Sequence, residues 1–174
     1  DDRIIEITDP LNRTTSIEYD TNGNLWTTTD PEGNIWEYTY DADGRMLTKT
    51  DPESNSTTYE YDNNKRIISS TNEYGTKSID YDIENNAATI TERDGGVWTY
   101  LYDPSLSVPL EVTDPEGQVT TYVYDENRNR VSETDQLGNS TSFTYDDDGN
   151  MLSTTDPEGN SKAYTYNAYG HDLP

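Results

Sequence analysis

A motif that returns about every 21 residues constrains this chain more than any other feature. Each copy carries Thr-Asp-Pro-Glu-Gly or a variant, and an aromatic-x-Tyr-Asp segment follows it. The repeated threonines are Thr8, Thr29, Thr50, Thr71, Thr91, Thr113, Thr134 and Thr155, and the repeated tyrosines are Tyr19, Tyr40, Tyr61, Tyr81, Tyr102, Tyr124, Tyr145 and Tyr166. A unit this short cannot bury its own apolar face, so its neighbours must supply the burial. We therefore predict one array of about eight units over residues 1–174, irregular at residues 75–113 and without separate domains.

Aromatic residues alternate with other residues in one segment of each unit. Trp36, Tyr38 and Tyr40 show the period of a strand with one buried face, so Tyr38 and Tyr40 should be more buried than Glu37 and Thr39. The same contrast is predicted for Tyr59, Tyr61, Tyr122, Tyr124, Tyr145, Tyr164 and Tyr166 against Glu60, Thr144 and Thr165. Hydrophobic content is only 29% and mean hydropathy is -1.06, so we expect stacked aromatic rings to form the core.

Two turn signals divide each unit. Asp41-Ala42-Asp43-Gly44 follows the aromatic strand, and Asp-Gly suits tight hairpin turns. Residues 30–33, DPEG, end the second strand, with proline preset for the first central turn position. Two strands per unit give roughly sixteen strands, which at about 4.8 Å spacing span on the order of 75 Å. The predicted fold class is all-β, with 21-residue hairpins forming a continuous coiled ribbon as a solenoid, a shell segment or a fibre.

Special backbone positions follow from the same turns. Structural glycines are expected at Gly33, Gly75, Gly117, Gly138 and Gly159, and four of them, at the turns near residues 33, 117, 138 and 159, should have angles awkward for other residues. Asn12 and Ser54 occupy that position in two units and should be left-handed or lie in altered turns. In the fifth unit, Pro104 and Pro109 cannot donate ladder hydrogen bonds, which predicts a bulge or an exposed edge.

The charge of the chain excludes several partners. Acidic residues number 35 against 11 basic ones, for a formal net charge of -24. Nucleic acid requires a basic surface, so DNA and RNA are excluded, as are anionic membrane surfaces. No apolar run is long enough for membrane insertion. The acidity itself indicates either solubility or binding of divalent cations.

Catalytic residues have little support in the sequence. The chain has one histidine, His171, and no cysteine, so we predict that it is not an enzyme and needs no cofactor. Because each turn carries an aspartate, we expect these carboxylates to accept hydrogen bonds from their own turns. Calcium bound by turn aspartates is the alternative. The candidate ligands are Asp20, Asp41, Asp146 and Asp148.

Three Asn-x-Ser/Thr sequons lie at the same turn of the repeat. They begin at Asn12, Asn55 and Asn139. Such motifs also arise by chance in a chain rich in Asn, Ser and Thr. Their shared position predicts that all three are exposed and makes them candidates for glycosylation.

The repeat resembles a known family along its whole length. The clearest copy, residues 40–52, reads YDADGRMLTKTDP, which is similar to the RHS family, also called YD repeats. The resemblance implies a ribbon of β-hairpins that winds into a large hollow shell. Such shells belong to secreted or surface proteins, including bacterial toxins, wall-associated proteins and teneurins, where they enclose a toxin or form an adhesive scaffold.

These features together lead to a functional expectation. We expect a non-enzymatic structural module of an extracellular or cell-surface prokaryotic protein, as a shell segment or a filament. The alternative is a cage that encapsulates and delivers a toxin or effector. Residue 1 and Pro174 both fall inside a unit, which favours an internal segment. Expected partners are further repeats of the same chain or identical chains end to end, glycans, and an encapsulated polypeptide.

Overall fold

A computed structural model describes residues 3–166 and contains sixteen strands. They follow one another in a single antiparallel sheet in sequence order, and no helix occurs among the described residues. The strands are β1 (Glu6–Thr8), β2 (Thr14–Tyr19), β3 (Leu25–Thr29), β4 (Ile35–Tyr40), β5 (Met46–Thr50), β6 (Ser56–Tyr61), β7 (Ile67–Asn72), β8 (Gly75–Asp82), β9 (Ala87–Thr91), β10 (Val97–Tyr102), β11 (Pro109–Thr113), β12 (Val119–Tyr124), β13 (Arg130–Thr134), β14 (Ser140–Tyr145), β15 (Met151–Thr155) and β16 (Ser161–Ala163). The prediction of an all-β hairpin array with two strands per unit is confirmed.

Contacts between Cα atoms divide the chain into two compact units. The first contains residues 3–79 and 92–94, and therefore strands β1–β7 and most of β8. The second contains residues 80–91 and those from 95 onwards, and therefore β9–β16. Both are built from the same hairpin, and the single array without separate domains stays a prediction.

A β-bulge lies at a constant position in six of the hairpins. In β4 and β5, Thr39 pairs with Thr48 but Tyr40 pairs with Met46, so Leu47 is the extra residue. The same shift lies just before the repeated tyrosine in five further hairpins: at Tyr19 and Tyr61 in the first unit, and at Tyr102, Tyr124 and Tyr145 in the second. A bulge bends the strand and increases its local twist, so these six hairpins bend at the same place.

The turns adopt the backbone angles that their residues predict. Gly33 N–H donates to the Asp30 carbonyl at 3.0 Å, and Gly33 has φ 86°, the left-handed region that glycine tolerates best. Asn12 and Ser54 are also left-handed, with φ 59° and 70°, as expected from their position. Gly75, Gly117, Gly138 and Gly159 have φ 117°, 79°, 82° and 85°.

The irregular region differs from the regular copies in its turns. Asn72 pairs directly with Gly75, so the β7–β8 hairpin is shorter than the Asp-Pro-x-Gly turns, and Tyr81 follows Thr71 by ten residues where Tyr61 follows Thr50 by eleven. In the second unit, Ser107 N–H donates to the Asp103 carbonyl at 2.8 Å within a longer loop, and Thr113 follows Tyr102 by eleven residues where Thr134 follows Tyr124 by ten. β11 begins at Pro109 and pairs with both neighbours, so of the two expected forms, a bulge or an exposed edge, the bulge is the one observed. The bulge there is the one that other repeats share.

Burial follows the predicted alternation but is shallower than expected. All the tyrosines named above are half-buried, whereas Glu37, Thr39, Glu60, Thr144 and Thr165 are exposed. The most buried of the described residues are instead Ala88, Thr27 and Ser69, at 5%, 8% and 9% exposure. Stacked aromatics therefore do not form a closed core among the described residues. In a single sheet layer, each large ring packs only against neighbours on its own face and keeps one side in solvent. A small residue that lies between longer side chains is shielded from solvent more fully.

Candidate functional site

Each turn aspartate is held by hydrogen bonds from its own turn. Asp30 Oδ1 accepts from the N–H groups of Glu32 and Asn34, both at 2.9 Å, and its Oδ2 accepts from Asn34 Nδ2 at 2.7 Å. Asp41 repeats the geometry with the N–H groups of Asp43 and Arg45 at 2.9 Å and with Arg45 Nε at 2.6 Å. The same set of hydrogen bonds around the carboxylate, which we call the aspartate cage, therefore occurs in both kinds of turn, as expected from the position of the aspartate.

These hydrogen bonds favour the charged carboxylate. The Asn34 side-chain amide, followed by the N–H groups of the turn, lowers the pKa of Asp30 below its ordinary value despite some desolvation. The Arg45 N–H and guanidinium do the same for Asp41. The pKa is also lowered by turn hydrogen bonds at Asp9, Asp20, Asp51, Asp62, Asp82, Asp125, Asp135, Asp146 and Asp156.

Three of the four calcium candidates occupy such cages. Asp20, Asp41 and Asp146 use both carboxylate oxygens within their own turns, while Asp148 contributes its N–H to Asp146 Oδ1 at 3.0 Å. Within residues 3–166, no group of three or more His, Cys, Asp or Glu side chains suits a metal ion. Calcium binding stays a hypothesis, and His171 lies outside the described residues.

The sequon asparagines take part in the same turns. Asn55 Nδ2 donates to Asp51 Oδ2, and Asn139 Nδ2 donates to Asp135 Oδ2, both at 2.9 Å. Asn12 is left-handed and exposed. All three are exposed, as the sequence predicts, and their glycosylation stays a prediction.

The repeated tyrosine makes a contact that the sequence analysis missed. Its hydroxyl donates to the backbone carbonyl of the residue fifteen positions earlier, which lies in the adjacent strand or just before it. The pairs are Tyr19 with Ile4, Tyr61 with Met46, Tyr145 with Arg130 and Tyr166 with Met151, at 2.7–3.0 Å. We refer to this contact as the tyrosine hook. The sequence signal that could have predicted this contact is the constant spacing between the repeated tyrosine and the residue at the bulge.

Cations and other rings complete the aromatic face. The guanidinium carbon of Arg3 lies 5.0 Å from the ring centre of Tyr19, and that of Arg45 lies 5.1 Å from the ring centre of Tyr61. In the second unit, Tyr102 stacks on Tyr100 at 6.2 Å between ring centres. Burial raises the pKa of Tyr40, Tyr102, Tyr122 and Tyr124. The rings therefore serve as packing surface and hydrogen-bond donors.

The opposite face is built from hydroxyls and carboxylates. Thr39 and Thr48 are hydrogen-bonded at 2.7 Å across the hairpin, and Ser69 Oγ donates to Glu60 Oε2 at 2.8 Å. Thr27 Oγ1 donates to Glu18 at 3.1 Å in the same way. Buried Thr27 and Ser69 thus have hydrogen-bond partners.

Comparison with known proteins gives both a family and a fold. The model of a family described as RHS Repeat matches residues 1–35, 19–56, 40–77, 109–141, 129–161 and 145–171. The unmatched stretch, 78–108, falls within the region of irregular turns. No curated protein matches the chain. No described helix is long and apolar enough to cross a membrane.

Solved structures of toxin complexes are similar in fold. A Tc holotoxin pore of Photorhabdus luminescens aligns with 92% of this chain at 16% identity and a TM-score of 0.67. TcdB2-TccC3-Cdc42 aligns with 89% of this chain at 17% identity and a TM-score of 0.68. TcdB2-TccC3 without its hypervariable C-terminal region aligns with 92% of this chain at 16% identity and a TM-score of 0.68. The chain covers 10% of the length of each of these proteins.

Proposed function

The chain belongs to the RHS repeat family, and from this membership we propose that it is a structural segment of a hollow shell, without catalytic activity of its own. The observation that carries the proposal is the constant bulge. It precedes the repeated tyrosine in six hairpins, three in each unit, so these hairpins bend at the same place. A sheet that bends at the same position in successive hairpins can curve around an enclosed space.

The construction of the hairpins supports a passive role. Many polar groups of the repeats are engaged in internal hydrogen bonds. These are the backbone hydrogen bonds between strands, the aspartate cages and the tyrosine hooks. The same arrangement recurs in copy after copy, whereas a catalytic centre requires one singular constellation. The segment therefore contributes a wall, and the shell's contents come from elsewhere.

The structures of similar fold support the nature of that shell. They are a Tc holotoxin pore and two TcdB2-TccC3 proteins, and this chain covers 10% of each. We propose that further repeats complete the shell, that it encloses a polypeptide, and that it acts outside the producing cell.

Electron microscopy of the native material that carries this chain tests the proposal. Hollow particles with a wall about 10 Å thick, the scale of one sheet layer with its side chains, are expected. Protease treatment before and after mild unfolding then shows whether a polypeptide is protected inside. Filaments would instead support the alternative of an open fibre, and solid particles would contradict both forms.

A further inference from the structure

The first unit contains a polar cleft of about 520 Å³ that the shell role does not use. Three aromatic side chains line it: Trp36 from β4, Tyr59 from β6 and Tyr74 from the β7–β8 turn. Asp51 and Glu73 add two carboxylates, and Lys49 adds one ammonium group. Aromatic rings beside carboxylates in a concave surface are suited to binding a cation.

Tyr74 owes its position to the irregular turn. The regular turns at 30–33 and 51–54 carry Asp-Pro-Glu followed by Gly or Ser, whereas residues 72–75 read NEYG. Tyr74 is 75% exposed, so its ring does little for packing. Its N–H donates to Asn72 Oδ1 at 3.0 Å, which fixes the turn that carries the ring. A large exposed ring held at the border of a cleft is available to a ligand.

Elsewhere, the chain places its own cations over aromatic rings. Arg3 lies over Tyr19 and Arg45 over Tyr61, at 5.0 and 5.1 Å from the ring centres. In the second unit, Arg130 lies over Phe143 at 5.0 Å. Within residues 3–166, no such cation lies over the rings that line the cleft. Its aromatic surfaces therefore remain open to a guanidinium from outside the described chain.

The charge around these rings favours a cation. Two carboxylates, Asp51 and Glu73, face one ammonium, Lys49, and the whole chain carries a net charge of -24. An anionic ligand would meet this field with repulsion. A cation would gain from both the carboxylates and the ring faces, because the negative face of an aromatic ring attracts positive charge.

We propose that this cleft binds an arginine side chain of a polypeptide partner. A planar guanidinium stacks on aromatic rings and can donate to a carboxylate at the same time, which a compact ammonium does less well. The rings that already carry guanidinium groups in this chain show that its aromatic face accepts them. The proposal does not rest on the shell, because the cleft lies within one unit.

Titration of the whole 174-residue chain with short peptides tests the inference. The probe is acetyl-Gly-Arg-Gly-amide, followed by NMR shifts of the Trp36 indole N–H and the Thr57 amide at about 0.15 M salt. The matched peptides replace arginine by citrulline, which is nearly isosteric but uncharged, or by lysine. Saturable shifts with the arginine peptide, weaker ones with lysine and none with citrulline are expected.

Substitutions separate the cleft from general attraction to an acidic protein. Tyr74→Ala should weaken binding about three- to fivefold, the range for one exposed cation–aromatic contact. Leu137→Ala is the matched control, because Leu137 occupies the same turn position in another repeat and is 78% exposed. It should leave binding unchanged. Lys49→Gln should strengthen binding by removing the opposing charge.

Several outcomes would overturn the inference. These are the absence of saturable shifts, an equal response to the citrulline peptide, or equal weakening by Leu137→Ala. Weaker binding of the arginine peptide after Lys49→Gln would contradict the electrostatic argument, because removal of a positive charge should favour a cation. Tetramethylammonium serves as the final probe, and tighter binding of that ion than of the arginine peptide would assign the cleft to quaternary ammonium groups.

Discussion

The hydroxyl of Tyr61 donates a 2.8 Å hydrogen bond to the backbone carbonyl oxygen of Met46, fifteen residues earlier in the adjacent strand. The pairing of β5 with β6 runs from Thr50 and Ser56 to Thr48 and Thr58. The hook bonds the strands beyond the last of these pairs, at the end remote from their turn. Met46 is also the residue that pairs with Tyr40 at the bulge. The tyrosine thus satisfies a carbonyl where the strand bends.

Loss of this hydrogen bond should destabilise the fold measurably. Tyr61→Phe keeps the ring but removes the donor, and we expect the free energy of unfolding to fall by about 1 kcal/mol, the usual net value of such a bond. Urea denaturation followed by circular dichroism measures the change. Tyr59→Phe is the control, because the Tyr59 hydroxyl has no hydrogen bond to the described residues. Equal losses in the two variants would contradict the role of the hook.

The left-handed position in the turns should respond oppositely to glycine and alanine. Ser54 has φ 70°, and we expect Ser54→Gly to stabilise the protein by roughly 0.5–1 kcal/mol, since relief of the left-handed strain exceeds the added chain entropy. Gly33→Ala should destabilise it by about 1 kcal/mol for the same reason. Thermal melts at matched concentration report both changes. A destabilising Ser54→Gly would show that the serine side chain matters more than its backbone angle.

Protonation of the turn aspartates should weaken the fold in acid. The hydrogen bonds from Asn34 and the turn lower the folded-state pKa of Asp30 below 3.8, so its contribution is present above pH 3.8 and is lost as pH falls through the folded-state pKa. The stability difference between wild type and Asp30→Asn should therefore shrink below pH 3.8. Glu32→Gln removes a carboxylate outside the cage and is the control. A difference that is independent of pH would contradict the argument.

Salt should stabilise the chain by screening its net charge of -24. Because the cage oxygens of Asp20 and Asp146 already accept hydrogen bonds, sodium chloride and calcium chloride at matched ionic strength should raise the midpoint of thermal unfolding equally. Light scattering of the same samples reports whether screening also promotes association. A larger effect of calcium would support the calcium hypothesis, and Asp146→Ala would then locate the ion.

The sequence alone determined the periodic features of this protein. A strand with Tyr38 and Tyr40 on one face, an aspartate that accepts hydrogen bonds from its own turn, and a left-handed Ser54 all depend on residues a few positions apart. Local sterics and local hydrogen bonds decide such features, so a short segment of sequence contains the information. The short spacing from Thr71 to Tyr81 likewise reflects a local feature, the length of one turn.

The tertiary structure decided what the strands do to one another. The depth of burial of Tyr61, the cover over Thr27 and Ser69, and the hook to Met46 all depend on which side chains the neighbouring strands bring alongside. The cleft at Trp36 and Tyr74 joins residues from separate hairpins, so their distance along the chain conceals their proximity. Periodicity assigns a residue to a face of the sheet, but only the register of paired strands determines its neighbours on that face.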